Sequence, residues 1–567
     1  MSRRVRSASA WNRASARSSS SSVTLSTYNH SVVDCQVVDA AGCDRPARFS
    51  AETATVGPVT TVSRLRFPRV CAVAGVLLIA AAPSCGQAAQ PTRAPTPIDA
   101  APTSAAPRST PPSVAPAPEF APVSQLVNDA IAAHRMPGAV VQIGHAGTIV
   151  FRQAFGSRKL AGEPGLDGSP APAEPMTEDT IFDLASLTKS LATATAVLQL
   201  VEQGRLQIDE PLQTYLPDFN PTGDPRRAQV TLRMLLTHTS GIAGDLSLDG
   251  PWGLDSADKA DGVRRALGAW VVFDPASQFH YSDINFILLG VLIEKITGEP
   301  VNIYVQHNVF DPLDLYDTHY LPAAKACGAQ QIRGNALAPD ENGHEVGDCP
   351  AGTWSTAILA RVAPTARDED SRDDPGRNPN YGNLLRGTVH DPTARRMGGV
   401  TGSAGVFSTV HDLGLYAQAL LDRLADRPST FPLTRSTLES MTTPQQPGHN
   451  AGQLRAANNA AREAIERTPN TADPLLAPNY PAIPGLNLRG FGWDIDTVQS
   501  RPRGMIFPIG SFGHTGFTGT TLWIDPGSDT YVIVLANVIH QRGGPPIARL
   551  SGEVATETAR ALHLYGT

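Results

Sequence analysis

The segment Ile181-Phe182-Asp183-Leu184-Ala185-Ser186-Leu187-Thr188-Lys189 joins an apolar stretch to the start of a new helix. Apolar residues recur at roughly helical spacing from Leu187 onward, and Gly204 is the expected end of that helix. Because Ser186 and Lys189 are one helical turn apart, their side chains should share one helix face. Burial favours the neutral form of an amine, which can then accept a hydroxyl proton. The spacing therefore predicts an activated serine. The alternative is a helix-capping serine followed by a solvated lysine.

Length and charge exclude some classes of function. The chain has 567 residues and a formal net charge of −7, so one large enzyme domain can use most of it. The mildly acidic balance argues against a nucleic-acid-binding surface. Residues 1–63 are rich in Ser, Arg, Thr and Ala without sustained apolar periodicity, which predicts a disordered extension.

Residues 64–85 have the pattern of an export signal, with a basic flank, a short uncharged apolar run and small residues behind it. The final Ala82-Pro83-Ser84-Cys85 resembles a bacterial lipobox, which implies lipidation of Cys85 as the first mature residue. The alternative is ordinary cleavage nearby, which would yield a soluble secreted protein. Because the signal begins late, we expect translation to start downstream of Met1. Residues 86–118, rich in Pro, Ala and Thr, are predicted to be an extended linker behind a membrane anchor.

The folded domain is predicted to cover residues 119–567, with strands near both of its ends. Alternating apolar residues predict a hairpin within 139–156 and further strands within 513–536. Helical periodicity dominates the region between them, which predicts a sheet made from both ends of the domain and a mostly helical middle. Two polar insertions are expected, near residues 323–382 and 445–484.

The predicted folded domain contains two cysteines, Cys327 and Cys349, both in the first polar insertion. In an exported protein such a pair is expected to form a disulfide, and two unpaired thiols are the alternative. A metal site is not expected, because no Cys/His quartet accompanies the pair.

Two further motifs follow the Ser186 segment in chain order, Tyr281-Ser282-Asp283 and His514-Thr515-Gly516. A Ser-x-x-Lys motif followed by a Tyr-containing motif and a Lys-Thr-Gly-like strand is typical of β-lactamases and penicillin-binding proteins. From about residue 122 onward the chain resembles the class C β-lactamase-like serine hydrolases, which include D,D-peptidases and carboxylesterases. The segments Leu235–Gly241 and Leu288–Gly290 are also similar to this family.

The resemblance implies an α+β, β-lactamase/transpeptidase-like fold, in which helices flank an antiparallel sheet and a mostly helical subdomain completes the site. It also implies hydrolysis of an ester or amide through an acyl-enzyme, without metal or organic cofactor, on a small-molecule or peptidoglycan-related substrate. The expected site residues are Ser186 as nucleophile, Lys189 and Tyr281 as the proton-handling pair, the backbone N–H groups of Ser186 and Phe517 as oxyanion hole, and Asp283, His514, Thr515 and Gly516 as substrate-binding residues. In a cationic pocket the pKa of Tyr281 is expected to fall.

Two positions depart from the family pattern. His514 replaces a lysine, and Asp283 replaces a neutral amide, so the pocket is expected to be less cationic. We therefore expect an esterase or peptidase more than a dedicated β-lactamase, with uncharged substrates preferred over penicillins and β-lactam turnover improving toward pH 6. Asp283 is expected either to hold Lys189 protonated or to bond a nearby amide.

A competing hypothesis is a catalytically inactive binding or sensor module of the same fold, tethered to the envelope. In both cases we expect an exported protein of the cell envelope or periplasm, anchored as a lipoprotein, with no nucleic-acid partner.

Overall fold

The computed structural model describes residues 117–340, 348–467, 486–541 and 547–567. The predicted extension 1–63, the signal segment 64–85 with Cys85, and all but the end of the linker 86–118 lie outside the described residues. None of the described helices is long and apolar enough to cross a membrane.

The described chain contains seventeen strands and twelve α-helices. The strands are β1 (Gly138–His145), β2 (Thr148–Lys159), β3 (Glu174–Pro175), β4 (Phe182–Asp183), β5 (His319–Tyr320), β6 (Ala326–Cys327), β7 (Gln330–Arg333), β8 (Ala336–Pro339), β9 (Trp354–Ser355), β10 (Ala366–Arg367), β11 (Leu384–Leu385), β12 (Val406–Ser408), β13 (Leu488–Arg489), β14 (Asp494–Asp496), β15 (Phe512–Gly516), β16 (Thr520–Asp525) and β17 (Thr530–Ala536). The α-helices are α1 (Ala121–Ala132), α2 (Thr195–Glu202), α3 (Leu212–Tyr215), α4 (Leu232–Leu236), α5 (Lys259–Leu267), α6 (Asp283–Thr297), α7 (Val301–Val305), α8 (Pro392–Arg396), α9 (Val410–Leu424), α10 (Arg435–Thr442), α11 (Gln453–Arg467) and α12 (Ala548–Ala561).

Strands from both ends of the domain form one antiparallel sheet in the order β13-β14-β15-β16-β17-β1-β2-β3. The first strand, β1, lies between its hairpin partner β2 and the last strand β17. The predicted sheet of N- and C-terminal strands is therefore confirmed. The intervening chain leaves the sheet after β3 and returns at β13.

Both faces of the sheet are buried, as the side chains of β17 show by pointing alternately into two cores. Tyr531, Ile533 and Leu535 belong to the larger core with α9, while Val532 and Val534 face the smaller core with α1 and α12. Successive strand residues point to opposite faces. A strand that is buried on both faces has an almost continuous run of apolar residues, and β17 has such a run.

The middle of the chain packs around α6, which is apolar on every side and lies in the main core. The sequence predicts this helix from Phe286, whereas the structure begins it at Asp283. The reason is a cap, since the Ser282 hydroxyl oxygen accepts a hydrogen bond from the N–H of Asn285. Gly298 ends the helix with φ of +78°, as its position predicts.

The insertion 323–382 contains several short strand pairs, and it is joined to the domain by buried groups. Cys327 and Cys349 form a disulfide with Cα atoms 5.7 Å apart. Arg395 on α8 is fully buried and donates to the Asp368 carboxylate at 2.7 Å. A buried ion pair of this kind has little freedom to move, so the insertion is held in a defined place.

The second insertion, 445–484, is polar but not wholly irregular. Its described part includes α11, and Asn458 of that helix exchanges hydrogen bonds with the backbone of Ile509. Residues 468–485 lie outside the described chain.

Candidate active site

Ser186 lies in a tight turn just after β4. Ala185, immediately before it, has φ of +46°, which residues other than glycine rarely adopt. The Asp183 carboxylate supports this turn by accepting hydrogen bonds from the N–H groups of Ala185 at 3.0 Å and His390 at 2.7 Å. Strained backbone held by buried partners is common where a side chain must be presented for chemistry.

The segment after Ser186 differs from the regular α-helix that the sequence predicts. Residues Lys189–Ala194 are wound as a π-helix, and the α-helix begins only at Thr195. One physical cause is the Thr195 hydroxyl, which donates to the carbonyl of Ser190 five residues earlier. Such π-helical turns are frequent at functional sites. Lys189 still lies beside Ser186, because the N–H of Lys189 donates to the Ser186 carbonyl in the preceding turn.

Lys189 is fully buried, and its ammonium group has three partners from three parts of the chain. Nζ lies 2.8 Å from Ser186 Oγ, 2.9 Å from the Ser403 carbonyl oxygen and 2.5 Å from Asp283 Oδ1. The Tyr281 hydroxyl is a further polar neighbour of this ammonium group, which has three N–H donors.

These partners reverse the expected protonation of Lys189. Burial by itself lowers the pKa of the amine, but the Asp283 carboxylate and the neighbouring Tyr281 outweigh it and raise the pKa above its ordinary value. The sequence-based prediction of a neutral amine that accepts the serine proton is therefore wrong. Of the two expected roles of Asp283, the structure has the first, in which the carboxylate holds Lys189 protonated.

Tyr281 completes the group around Ser186. Its hydroxyl lies within hydrogen-bonding reach of both the Ser186 and the Lys189 side chains. Burial raises its pKa; Lys189 acts against this, and Asp283 adds to the increase. The predicted fall of the Tyr281 pKa is wrong, because burial, with a smaller contribution from the Asp283 carboxylate, outweighs the cation that would have stabilised a phenolate. The resting residue is a neutral phenol.

The third motif lies on β15, and its turn into β16 is attached to the segment before Ser186. The hydroxyls of Thr518 and Thr520 donate to the carbonyls of Asp183 and Leu184. Gly516 lies so close that any Cβ there would come within 2.3 Å of the Leu184 oxygen. Phe517, the next residue, is 55% exposed.

His514 is buried at the base of this motif, with its ring centroid 6.1 Å from that of Tyr281. Nδ1 lies 2.8 Å from the Thr515 carbonyl oxygen, so this nitrogen carries the proton and Nε2 is an acceptor. Burial and the nearby cations Arg489 and Lys189 hold the pKa of His514 well below its usual range. The expected gain in β-lactam turnover toward pH 6 therefore has no basis in His514, which stays neutral there.

The sequence reasoning missed Arg489 on β13, a fully buried cation near the third motif. One nitrogen, Nη1, donates to Asp494 at 2.7 Å. The other two, Nε and Nη2, are buried and have no hydrogen-bond partner in the part of the chain that the structure describes. The expectation of a less cationic pocket left out Arg489, whose charge acts on His514 although Asp494 pairs with it, and Asp283 is itself paired with Lys189. No local pattern in the sequence distinguishes this arginine from the others.

Two other residues near Lys189 were also missed. Ser403, whose carbonyl binds Lys189, lies in the stretch 397–405. The sequence shows that this stretch is rich in glycine but gives no indication of its role. His238 lies in the segment Leu235–Gly241, which resembles the family, and its ring stacks on Tyr281 with centroids 4.3 Å apart. Within the described ranges, no cluster of three or more His, Cys, Asp or Glu side chains is arranged to hold a metal ion.

Comparison with known proteins identifies the family. Residues 123–555 match the family model described as Beta-lactamase. A putative D-alanyl-D-alanine carboxypeptidase of Escherichia coli (strain K12) is 28% identical over 410 residues, which cover 70% of this chain and 77% of that protein. An N-acetylmuramyl-L-alanine amidase of Bacillus subtilis (strain 168) is 28% identical over 430 residues, covering 74% and 80%.

A solved structure agrees in fold. Unliganded simvastatin synthase (LovD) from Aspergillus terreus, as its selenomethionyl derivative, has a TM-score of 0.52 and 22% identity, with 79% of this chain and 100% of that chain covered. This confirms the predicted α+β architecture of an antiparallel sheet flanked by helices. The family match extends over more than half of the sequence, and it includes all three motifs. The chain therefore belongs to the beta-lactamase family and is a β-lactamase-related serine hydrolase.

Proposed function

We propose that the protein hydrolyses an amide or ester bond through an acyl-enzyme on Ser186, with peptidoglycan-related D-alanyl-D-alanine peptides as its substrate class. The observation that carries this proposal is the convergence of Ser186, Lys189 and Tyr281, with Lys189 Nζ 2.8 Å from Ser186 Oγ and the Tyr281 hydroxyl in reach of both. A hydroxyl nucleophile adjacent to proton-handling groups is the arrangement that covalent hydrolysis requires.

The protonation states decide the path of the proton during acylation. Lys189 is already a cation and donates to Ser186 Oγ, so it stabilises negative charge on that oxygen and takes no proton from it. Tyr281, a neutral phenol, accepts the serine proton while its own proton moves to the leaving nitrogen or oxygen. The Ser186 oxygen forms a bond to the acyl carbon, and the bond to the leaving group breaks.

Deacylation follows the same path in reverse. Water attacks the acyl carbon and passes a proton to Tyr281, whose phenolic proton returns to Ser186 Oγ. The backbone N–H groups of Ser186 and Phe517 stabilise the tetrahedral oxyanion in both steps. The close approach of Gly516 to Leu184 supports this assignment, because it holds the two amides on neighbouring backbone segments.

Charge near the third motif supports a substrate with a free carboxylate. Arg489 is buried and has two donors unused by described residues, and its charge is close enough to His514 to lower the pKa of that ring. A carboxylate is the group that a guanidinium fork binds best. D-Alanyl-D-alanine peptides end in a carboxylate, and the putative carboxypeptidase and the amidase to which the chain is similar have names that refer to peptidoglycan bonds.

The competing hypothesis, an inactive envelope-tethered binding or sensor module, is disfavoured. A pocket that has lost its chemistry has no reason to keep a buried lysine hydrogen-bonded to a serine, since burying that charge is costly. For localisation we propose export to the cell envelope, with Cys85 as a lipid anchor and residues 86–118 as the tether.

The first prediction concerns the nucleophile. Ser186→Ala should reduce turnover of a D-alanyl-D-alanine peptide by roughly 10⁴-fold or more and abolish covalent labelling by a fluorophosphonate, because the acyl-enzyme can no longer form. Ser190→Ala is the matched control, because that hydroxyl donates only to the Gly492 carbonyl and the variant should still be labelled. Labelling of the Ser186→Ala protein at the wild-type rate would contradict the assignment.

The second prediction concerns Arg489. The wild-type protein should hydrolyse a peptide with a free terminal carboxylate about tenfold to a hundredfold better, in kcat/KM, than the same peptide as a carboxamide. Arg489→Gln should remove this preference, because the guanidinium is its source. Because the result is a ratio of kcat/KM for two substrates of the same protein, a smaller folded fraction in the variant does not change it.

Arg503→Gln provides the control for this experiment, since Arg503 is an equally buried guanidinium paired with Asp496. It should leave the preference intact. A preference that survives Arg489→Gln would show that the carboxylate binds elsewhere.

The third prediction concerns pH. Asp283→Asn removes the charge that raises the pKa of both Lys189 and Tyr281. Both pKa values should fall, and because the mechanism uses the protonated form of each group, the falling limb of kcat/KM at alkaline pH should move to lower pH. Asp274→Asn, which removes an exposed carboxylate of a nearby loop, should leave the limb in place. The proposed role of Asp283 fails if its variant keeps the wild-type profile.

The fourth prediction concerns the anchor. Mass spectrometry of the mature protein should find a diacylglycerol-modified Cys85 at the N-terminus, and Cys85→Ser should move the protein from the membrane fraction to the soluble fraction. Cys71→Ser, within the apolar run, should leave it at the membrane. An unmodified N-terminus near residue 85 would mean a secreted form instead.

A further inference from the structure

We infer that His238 is a positioning residue for catalysis, which holds the Tyr281 phenol in place against Ser186. The inference rests on the proposed role of Tyr281 as the proton carrier. His238 takes no part in the proposed proton transfer itself and acts through Tyr281, on which its ring packs.

Hydrogen bonds attach both neighbours of Tyr281 to His238. The N–H of His280 donates to the His238 carbonyl at 2.8 Å. The N–H of Ser282 donates to His238 Nδ1 at 3.1 Å. His238 therefore holds the residues on both sides of Tyr281, and the Ser282 hydroxyl adds a hydrogen bond to the Ala243 carbonyl at 2.6 Å.

Ring packing then fixes the Tyr281 side chain. The imidazole of His238 stacks on the phenol ring with centroids 4.3 Å apart and an interplanar angle of 29°. Phe286 of α6 packs on the imidazole, with centroids 5.2 Å apart, and so stops it from moving away. The phenol is thus limited in translation and in rotation, which is what proton transfer over a short distance requires.

The backbone of His238 is strained, and the strain fits a role in catalysis. Its φ is +55°, in the left-handed region that a ring-bearing residue adopts at a cost. A histidine serving only as core filler would not need this conformation. Here the conformation lets one residue present both its carbonyl and its ring nitrogen to the segment 280–282.

The imidazole must be neutral for this contact to exist. Nδ1 accepts the Ser282 N–H, so the ring proton is on Nε2. If Nδ1 were protonated, its N–H would face the N–H of Ser282, the hydrogen bond would be lost, and a cation would lie against the Tyr281 ring. Burial disfavours the charged imidazole most, and the nearby Arg489, Lys189, His514 and His280 add to this effect, while the stacked Tyr281 is a neutral phenol.

The test is a double-mutant cycle with Tyr281. Asparagine tolerates positive φ and its side-chain oxygen can still accept the Ser282 N–H, so His238→Asn removes mainly the stacked ring. It should lower kcat for a D-alanyl-D-alanine peptide by about 10²-fold with little change in KM. In a Tyr281→Phe background, the same change should lower kcat by less than about threefold, because the group that it positions is already gone.

A control and a complementary variant separate this role from a structural one. His319→Asn removes another partly buried imidazole whose two nitrogens are hydrogen-bonded, and kcat should stay within about twofold of wild type. His238→Phe keeps a ring on Tyr281 but removes the acceptor for Ser282, and it should retain more activity than His238→Asn. Equal losses of kcat for His238→Asn with and without Tyr281 would overturn the inference.

One readout does not depend on turnover. In protein labelled with ¹⁵N-histidine, the His238 signals, assigned by their loss in His238→Asn, should show the Nε2-protonated neutral ring from about pH 6 to about pH 9. A ring that titrates in this range, or carries its proton on Nδ1, would overturn the inference. A wild-type protein that shows this tautomer but hydrolyses no peptide and takes no fluorophosphonate would instead refute the proposed function, and with it the catalytic part of this inference.

Discussion

The buried ion pair between Lys189 and Asp283 is the interaction on which the site depends. Nζ and Oδ1 are 2.5 Å apart, and the lysine side chain is almost wholly shielded from water. A buried ammonium is stable only when every donor has a partner, and here the partners are Ser186, Ser403 and Asp283. The fold must therefore bring the helix after β4, the start of α6 and the glycine-rich stretch before β12 to one point.

Backbone contacts make this convergence possible. Gly402 lies against α6 so closely that a Cβ would come within 2.0 Å of the Phe286 oxygen, and Gly516 approaches Leu184 in a similar way. Asp183 holds the strained turn before Ser186, while the hydroxyls of Thr518 and Thr520 join that turn to the sheet. Glycine is required at positions 402 and 516, because the neighbouring backbone leaves no room for a Cβ atom.

The charges that result decide how protons can move. Because Asp283 offsets the charge of Lys189 and Tyr281 is buried, Tyr281 is a neutral phenol at rest. In the proposed reaction it accepts one proton while it donates its own. His514 is likewise neutral, so the positive charge near the third motif belongs to Arg489. Burial and a few shared charged neighbours set the protonation state of each of these groups, so a single substitution can change the chemistry of several.

The architecture and the identity of the reacting groups could be predicted from the sequence. Apolar periodicity is a local property, so the β1–β2 hairpin, α6 and the strands near the C-terminus were predicted close to where they lie. The motif residues Ser186, Lys189 and Tyr281 were recognised because their residue types and order carry the family's chemistry. Their placement beside one another in the structure follows those expectations.

The protonation of those groups and the residues that support them depend on contacts that form in the folded chain. Burial of Lys189 alone predicts a neutral amine, and the opposite result comes from a carboxylate that lies far away in the chain but 2.5 Å away in space. Arg489 and His238 were not assigned roles for the same reason. Electrostatic energy and hydrogen bonding depend on distances between atoms, and the spacing of residues along a chain does not contain those distances.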